Sequence, residues 1–479
     1  MSLKKIYRGG LLLGMLLALV LMRMITLGLY PLMDTTEARY GEIARKMVEL
    51  NDWVTPWFDY GVPFWGKPPL SFWITAGSFK LFGINEFAAR LPHFLTALLV
   101  GWLVWSWSAR RSSLEGIYSA VLLAGAIGFL VAAGAAMTDM ALTLGVTLAM
   151  RGFWLGLYGG DLERKCERWL LFLGLAIGLL AKGPLVLVLA GLPLFIWALA
   201  TSNLAVVLRT LPWLRGGLLT LGLAIPWYVL AERHTPGFLN YFIVGEHWHR
   251  FITPGWAGDL YGNAHEMSRG SIWIFALGAT MPWCVLLPVA AFLFWRKGAE
   301  STTQGVYADR AWRLFLLIWG LMPCVFFTFT KNIIWPYVLP GLPALAMLSA
   351  GWLTRFPENV RVKWVLAMGM ALSMTMLALY LVLGNYEARS QKSLVMDYAS
   401  RQPGQTPLVF FRLRTFSGIF YTQGKSLLAR NADQLAKQLD RGPAFVAIKP
   451  GDYQALPPVL QQRLKHLAAH GDYELFVEN

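Results

Sequence analysis

Apolar runs of roughly 20 residues recur along this chain, and that is the length a helix needs to cross about 30 Å of hydrocarbon. They fall at 9–30, 88–108, 114–133, 137–158, 168–182, 184–200, 214–231, 271–295, 312–330, 334–353 and 363–384. The pattern predicts an all-α polytopic membrane protein with about eleven to thirteen transmembrane helices. Composition agrees. Hydrophobic residues make up 56% and charged residues 14%, against about 25% charged in an average soluble domain. The 22 tryptophans and 17 tyrosines suit rings held at headgroup level. The opening MSLKKIYRGG and the run behind it resemble a signal peptide, but the run is too long and no small-residue cleavage site follows. An uncleaved first transmembrane helix is expected.

A net charge of +15 raises a nucleic-acid partner, yet the basic residues gather in no single patch. They mark the ends of apolar runs, as charge bias in membrane loops does, so no nucleic acid is expected. Lys4, Lys5 and Arg8, then Arg110 and Arg111, Arg164 and Lys165, Arg296 and Lys297, and Arg361 and Lys363 fall on one side in short basic loops. That side is read as cytoplasmic. The opposite side receives two long loops, 31–87 and 232–270, and the tail 385–479, with most of the acidic residues. An odd number of spans places the tail there. Cys166, Cys284 and Cys324 lie far apart without metal-ligand spacing, and no disulfide is expected.

Two units follow: a transmembrane unit, 1–384, and a tail, 385–479. In the tail, β-like runs at Leu408–Arg412, Ala444–Ile448 and Tyr473–Val477 alternate with helical stretches at 431–441 and 456–469. This is the pattern of a small α/β domain. In the first long loop, Asp34 to Leu50 reads as an amphipathic helix with an apolar stripe of Ala38, Ile43, Met47 and Leu50. Lys67-Pro68-Pro69 opens a second short helix. Both helices are expected to lie flat at the interface.

Six groups are able to carry chemistry, and each has a plain structural alternative. Asp34-Thr-Thr-Glu37-Ala-Arg39-Tyr40 places two carboxylates and an arginine where the first span emerges. The alternative is a capped helix, with Asp34 or Thr35 as N-cap and Glu37 reaching back. Lys67 beside two prolines suits a phosphate near a helix N-terminus; a snorkelling lysine explains it equally. Asp139 sits at the outward end of two spans, where an ionisable group is usually functional, unless it only caps the fourth span. Lys182 in Ala-Lys-Gly-Pro breaks an apolar stretch. Glu246-His247-Trp-His249-Arg250 precedes His265 and Arg269, and Lys331 follows Thr330. Each of these last three groups is also readable as an interfacial anchor. All six groups share one face, so Lys67, Lys182, Arg250, Arg269 and Lys331 would ring a few carboxylates, as suits an anionic headgroup. His247, His249 and His265 with Glu246 are of metal-ligating type, but their spacing is not specific for a divalent metal.

Glu37-Ala-Arg39-Tyr40-Gly-Glu-Ile-Ala-Arg45, Asn51-Asp52-Trp53-Val54-Thr55-Pro56 and Lys67-Pro68-Pro69-Leu70 resemble the aminoarabinose transferase family and its protein O-mannosyltransferase relatives. These are GT-C glycosyltransferases. The resemblance continues through Thr138-Asp139-Met140, Ala181-Lys182-Gly183-Pro184, Glu246-His247, Arg250-Phe251 and Lys331 before Pro336-Tyr337. It implies a multi-pass bacterial inner-membrane enzyme with no cofactor of established identity. Such an enzyme takes a sugar from a polyprenyl-phosphate carrier to a lipid or glycan acceptor on the periplasmic side, and a monomer is expected. It further implies a catalytic carboxylate in the first periplasmic loop and basic residues that hold the carrier phosphate. Two departures stand out. Thr36 occupies the place of the family's aspartate, which leaves Asp34 or Glu37 to inherit the role. Gly66 occupies the place of a glutamate that helps bind a metal. The departures count against the family's metal and against lipid A as acceptor.

The expected chemistry is inverting transfer, with Asp34 favoured as the reacting carboxylate, Glu37 paired with Arg39, and Asp139 in reserve. Lys67, Lys182, Arg250 and Lys331 are expected at the carrier phosphate, and Arg39, Tyr40, His247, His265, Arg269 and Tyr337 at the substrates. The competing class is a lipid or sugar transporter or flippase. It would need ionisable groups near the bilayer midplane and matched halves, whereas the charges here gather at one face.

Overall fold

The computed structural model describes residues 3–262, 265–295, 306–356, 360–401 and 406–478; the expected cytoplasmic Arg296 and Lys297 lie outside them. Every apolar run read from the sequence is helical. Leu3–Thr26, Glu86–Ser108, Asp139–Tyr158, Asp161–Lys182, Trp213–His234, Val306–Phe327 and Val360–Leu383 are continuous helices. The other four runs are interrupted. Run 114–133 divides into Ser113–Ala124 and Ile127–Ala132, and run 184–200 passes through a π-turn at Leu187–Gly191. Run 334–353 begins as a 3-10 helix, Trp335–Gly341, before Leu342–Leu353. Run 271–295 bends by 79° after Ser271–Ala279. Among the described residues, six helices are individually long and apolar enough to cross a membrane, or seven with the bent pair as one.

The pair Asp139–Tyr158 and Asp161–Lys182 forms the central hairpin. Its helices approach so closely that a Cβ on Gly174 would lie 2.3 Å from the Gly145 carbonyl oxygen. Small residues permit that approach between membrane helices. The hairpin turns at 159–160, so the start of one helix and the end of the other meet. Asp139 and Lys182 therefore come together at the end facing the long loops.

The first long loop holds helix Thr36–Glu49, a hairpin of β1 (Trp57–Asp59) and β2 (Val62–Pro63), and helix Leu70–Phe82. Helix Thr36–Glu49, expected at the interface with its charged face exposed to water, is instead buried on both faces. Its apolar stripe packs with Phe64, Phe72, Phe79 and Phe420, and its charged residues are buried as well: Glu42, Arg45 and Lys46 are 1%, 3% and 0% exposed. Arg45 grips Glu42 at 2.7 Å, and Lys46 donates to the Phe58 carbonyl at 2.8 Å. The hairpin and the tail cover the face that periodicity alone assigns to water. Its N-cap, Thr35, makes no side-chain capping bond, so neither expected cap operates.

The tail forms a five-stranded sheet from β3 (Leu408–Phe411), β4 (Leu427–Ala429), β5 (Phe445–Ile448), β6 (Leu464–His470) and β7 (Tyr473–Glu478), in the order β4-β3-β5-β7-β6. β3 runs parallel to β4 and β5; β7 is antiparallel to β5 and β6. The helix expected over 456–469 shrinks to Pro458–Arg463. Leu464–His470 joins β7 instead, pairing Leu464 with Glu478 and His470 with Tyr473. Sheet pairing overrides the helical preference of Leu-Lys-His-Leu-Ala-Ala. The turn depends on Gly471, whose φ is +58° and where a Cβ would meet the Glu387 carbonyl oxygen at 2.3 Å.

The tail docks on the first loop. Arg414 pairs with Asp59 at 2.6 Å. Tyr421 donates to Glu86 at 2.9 Å and accepts from the Leu32 amide at 2.8 Å. Loop and tail thus share one side of the helical unit.

Candidate active site

Two cavities meet beneath the first loop. The first, about 500 Å³, is the more polar of the two and is lined by Thr36, Arg39, Tyr40, Lys67, Asp139, Lys182, Glu246, Arg250, Asp259, Tyr261, His265, Tyr337 and Phe416, among others. The second, about 750 Å³, is mainly apolar and is lined by Pro184, Leu185, Val188, Ile243, Phe251 and Phe326. Lys67, Lys182, Glu246, Arg250 and Tyr337 border both.

Local structure explains who reaches the cavity. On helix Thr36–Glu49, Thr36, Arg39 and Tyr40 stand at i, i+3 and i+4 and share one face. Glu37 is one position round and points away. Lys182 ends its helix because Gly183 follows in a left-handed conformation, φ +75°. A Cβ on Gly183 would also meet the Phe242 ring at 2.6 Å. Glu246 and Arg250 face the cavity from the π-helix Asn240–His249 and the residue after it, a backbone form often found at functional sites.

The cavity charges are paired. Lys182 Nζ donates to Asp139 Oδ1 and lies 4.4 Å from the centre of the Tyr337 ring. Glu246 holds Lys67 at 3.0 Å and Arg250 at 3.0 Å, and Arg250 reaches Asp259 at 3.3 Å. Burial pushes the Glu246 carboxyl up, but Lys67 and Arg250 outweigh it and hold it down at about 2. Burial pulls the Arg250 guanidinium down and the same carboxylates raise it above its ordinary range. Its own bonds are few: the Arg250 Nε has no partner. Arg39 donates to the Tyr261 carbonyl at 2.9 Å and stacks among Tyr40, Phe64 and Phe416.

Several expected residues stand elsewhere. Asp34 does not line the cavity. It accepts the Ser417 amide at 3.0 Å and the Ser417 hydroxyl, so it caps helix Phe416–Tyr421 of the tail. Burial raises its carboxyl above the usual range, against the pull of Ser417. Glu37 pairs with Arg90 rather than Arg39, through two 2.9 Å bonds, and accepts the Ala136 amide at 3.1 Å. Thr138, not Asp139, is the N-cap of the fourth run, and it makes no capping bond. Lys331 turns to Glu266 at 3.3 Å, and Arg269 is exposed; neither lines either cavity. His247 borders the apolar cavity. Its Nδ1 lies 2.7 Å from the Phe242 carbonyl and its Nε2 3.2 Å from that of Lys182. Burial holds its imidazole below the ordinary value, as burial and Arg250 do for His265.

Sequence reading missed Asp259, Tyr261 and Phe416. Tyr261 accepts the Trp65 amide at 2.9 Å and donates to the Pro63 carbonyl at 2.8 Å, pinning loop 253–262 over the cavity. Asn332, not its neighbour Lys331, ties this loop to the helix before it, donating to the carbonyls of Arg250 and Thr253 at 2.5 and 2.8 Å. Its place in the glycine-rich loop 253–262 was the sequence signal for Asp259.

The residues present do not fit the metal that the resemblance implied. Gly66 offers no side-chain donor, and a Cβ there would meet the Phe64 ring at 2.9 Å. Both ring nitrogens of His247 face carbonyls, and His249 stacks on Trp256. Among the described residues no three His, Cys, Asp or Glu side chains are grouped to hold a metal ion.

Residues 9–242 match the family described as dolichyl-phosphate-mannose-protein mannosyltransferase. The chain is 32% identical over 342 residues to the undecaprenyl phosphate-alpha-4-amino-4-deoxy-L-arabinose arabinosyl transferase of Erwinia tasmaniensis, covering 68% of this chain and 56% of the relative. The enzyme of the same description from Yersinia pestis is 32% identical over 343 residues, with the same coverage. The chain thus spans little more than half the length of these curated relatives. The crystal structure of ArnT from Cupriavidus metallidurans bound to undecaprenyl phosphate shares the fold, with a TM-score of 0.79, 21% identity and 98% of each chain covered. Its apo state gives 0.75 at 20% identity, again over 98% of each chain.

Proposed function

Because the chain belongs to the aminoarabinose-transferase-like GT-C glycosyltransferase family, we propose that it moves a sugar from a polyprenyl-phosphate carrier to a lipid or glycan acceptor at the periplasmic face of a bacterial inner membrane. One observation carries this reading: five residues, three of them cationic, form the border between a polar and an apolar cavity. A polyprenyl phosphate has the same division. Its chain fits the apolar cavity, its phosphate meets Lys67, Lys182 and Arg250, and its sugar enters the polar cavity. The loop charges and the docking of the tail on the first loop support residues 1–384 as the catalytic membrane unit and 385–479 as a periplasmic unit.

In the reaction an acceptor oxygen attacks the anomeric carbon from the face opposite the phosphate. The bond between that carbon and the phosphate oxygen breaks, its electron pair stays on the phosphate, and the configuration inverts. Preorganised cations stabilise that developing charge in a site of low dielectric. The acceptor proton goes to Asp139. Glu246 is held near 2 by two cations, whereas Asp139 lines the same cavity and, among the described residues, pairs with Lys182 alone. A carrier phosphate that engages Lys182 loosens this pair and frees the carboxylate for the proton. Asp34 and Glu37 are positioning residues here, holding the tail helix and the first loop.

A transfer assay in proteoliposomes tests the proposal. Purified protein with labelled undecaprenyl-phosphate sugar and membrane acceptor lipids is expected to release undecaprenyl phosphate and label the acceptor. Failure of the carrier to bind, read as thermal stabilisation by undecaprenyl phosphate, would remove its basis.

A further inference from the structure

Four cationic side chains line the polar cavity, and they are not equivalent. Lys67, Lys182 and Arg250 each hold a carboxylate and border the apolar cavity. Arg39 does neither. It lines the polar cavity alone, and among the described residues it has no carboxylate partner. The acids nearest in sequence are engaged elsewhere, Glu37 with Arg90 and Asp34 with Ser417. Thr35 and Thr36, which line the cavity beside it, are neutral.

A guanidinium carries five N–H donors in a rigid fork that matches an oxyanion. Arg39 uses one, on the Tyr261 carbonyl, and its Nε is buried without a partner. The rings of Tyr40, Phe64 and Phe416 have their centres 5.3, 5.7 and 5.6 Å from its central carbon. They fix the orientation of the fork without satisfying its donors. Phe416 comes from the tail, at the helix end that Asp34 caps, so the tail closes this corner of the cavity.

We propose that Arg39, boxed by Tyr40, Phe64 and Phe416, is a second anion subsite that reads a carboxylate or phosphate carried by the transferred sugar or by the acceptor. This rests on the carrier-dependent transfer proposed above. The carrier phosphate is taken at the wall shared by the two cavities, and Arg39 stands off that wall. A charge-assisted fork in a partly desolvated box binds an oxyanion far better than a neutral hydroxyl.

The test uses the full chain in nanodiscs, saturated with undecaprenyl phosphate so that the shared wall is occupied. D-glucuronate, glycerol 3-phosphate and neutral glucose are titrated at constant ionic strength and read by thermal shift. At least one anion is expected to bind roughly tenfold or more tighter than glucose, in keeping with a charge-assisted bond. Preference for glucuronate assigns the anion to the sugar, and preference for glycerol 3-phosphate assigns it to the acceptor. Arg39→Gln is expected to erase that preference and keep the stabilisation by undecaprenyl phosphate. A second measurement needs no variant: the preferred anion is expected to protect Arg39 of the wild-type chain from phenylglyoxal, scored by mass spectrometry. Equal binding of anions and glucose, a preference that survives Arg39→Gln, or an unprotected Arg39 overturns the subsite. A wild-type chain that ignores undecaprenyl phosphate overturns the carrier reading instead, and the anion titration still decides on Arg39.

Discussion

Glu37–Arg90 and Asp139–Lys182 are both buried ion pairs at the end of the helical unit that faces the long loops, and they differ in what lies beyond them. Arg90 is fully buried. Besides Glu37, it donates to the carbonyls of Leu27, Tyr30 and Pro31 at 2.7–2.8 Å. Its fork is saturated by the chain itself, and it ties the end of the first helix to helix Glu86–Ser108. Lys182 and Asp139 face a cavity of about 500 Å³, with donors and lone pairs left for a ligand. Burial and pairing alone therefore do not mark a site. Unfilled bonding capacity on a cavity does, and it separates these pairs although both come from motifs of the same kind.

The sharpest test of the contrast is Asp139→Asn. It is expected to lower transfer by about 100- to 10,000-fold, the usual range for a lost general base. Undecaprenyl phosphate binding should persist, because the cations remain. The fold should persist too, because the amine left behind faces a cavity rather than packed backbone. Retention of most transfer activity would mean that the proton goes elsewhere and that the two pairs do not differ as argued.

Arg90→Ala should do the opposite. It leaves Glu37 buried and unpaired, a loss of about 3–5 kcal/mol, seen as poor folded yield and a lowered thermal midpoint in detergent. Any material that folds should keep its affinity for undecaprenyl phosphate. A well-folded but inactive Arg90→Ala protein would instead place the Glu37 pair in the reaction.

Lys67→Ala is expected to weaken undecaprenyl phosphate binding by about tenfold or more, since one charge-assisted bond is worth roughly 1.5–3 kcal/mol. Lys67 and Arg250 share Glu246, so the double substitution should fall short of or exceed the sum of the singles by about 0.5–3 kcal/mol. Additive losses would mean that the two cations do not meet the phosphate together.

Much of this was legible in the sequence, and the rest failed for identifiable reasons. Every apolar run picked out by length is helical in the fold, because bilayer thickness is an external ruler; the short helix Leu204–Thr210 lay outside those runs. Run length did not reveal the breaks at 125–126 and 280–282, although the second contains Pro282, which cannot continue a helix without loss. The motifs around Lys67, Asp139, Lys182, Glu246 and Arg250 stood out in the sequence, and the fold gathers them on one cavity. Asp34 was misread because nearness to the span end looked like nearness to the site. Its partner, Ser417, lies 383 positions away, and no local pattern encodes such a contact. Lys331 and Asn332 show the same limit at closer range, since only the fold tells which neighbour turns inward. The strand Leu464–His470 was hidden by helix-forming residues whose state is decided by pairing with β7.

The smallest effect concerns pH, and its sign follows from Glu246. Burial raises its carboxyl, but Lys67 and Arg250 depress it from an ordinary 4.5 to about 2 in the folded chain. The unfolded chain therefore takes up the proton first as pH falls. The stabilisation from this group is complete above about pH 4.5 and is lost as pH drops toward 2, by at most about 1.4 kcal/mol per pH unit. Asp34 acts the other way: its carboxyl is raised in the fold, so its protonation favours the folded state as pH falls through that raised value. Glu37 has Arg90, and Glu246 has two cations that a carrier phosphate also needs. Undecaprenyl phosphate should therefore weaken the hold on Glu246 and shift its acid limb to higher pH. Thermal midpoints of wild-type protein and Glu246→Gln between pH 5 and 3, with and without undecaprenyl phosphate, decide this. The expected result is an acid limb that is shallower in Glu246→Gln and that moves upward with the carrier in the wild type only. An identical limb in both proteins would show that Glu246 does not hold the cations in solution, and the paired wall would have to be redrawn.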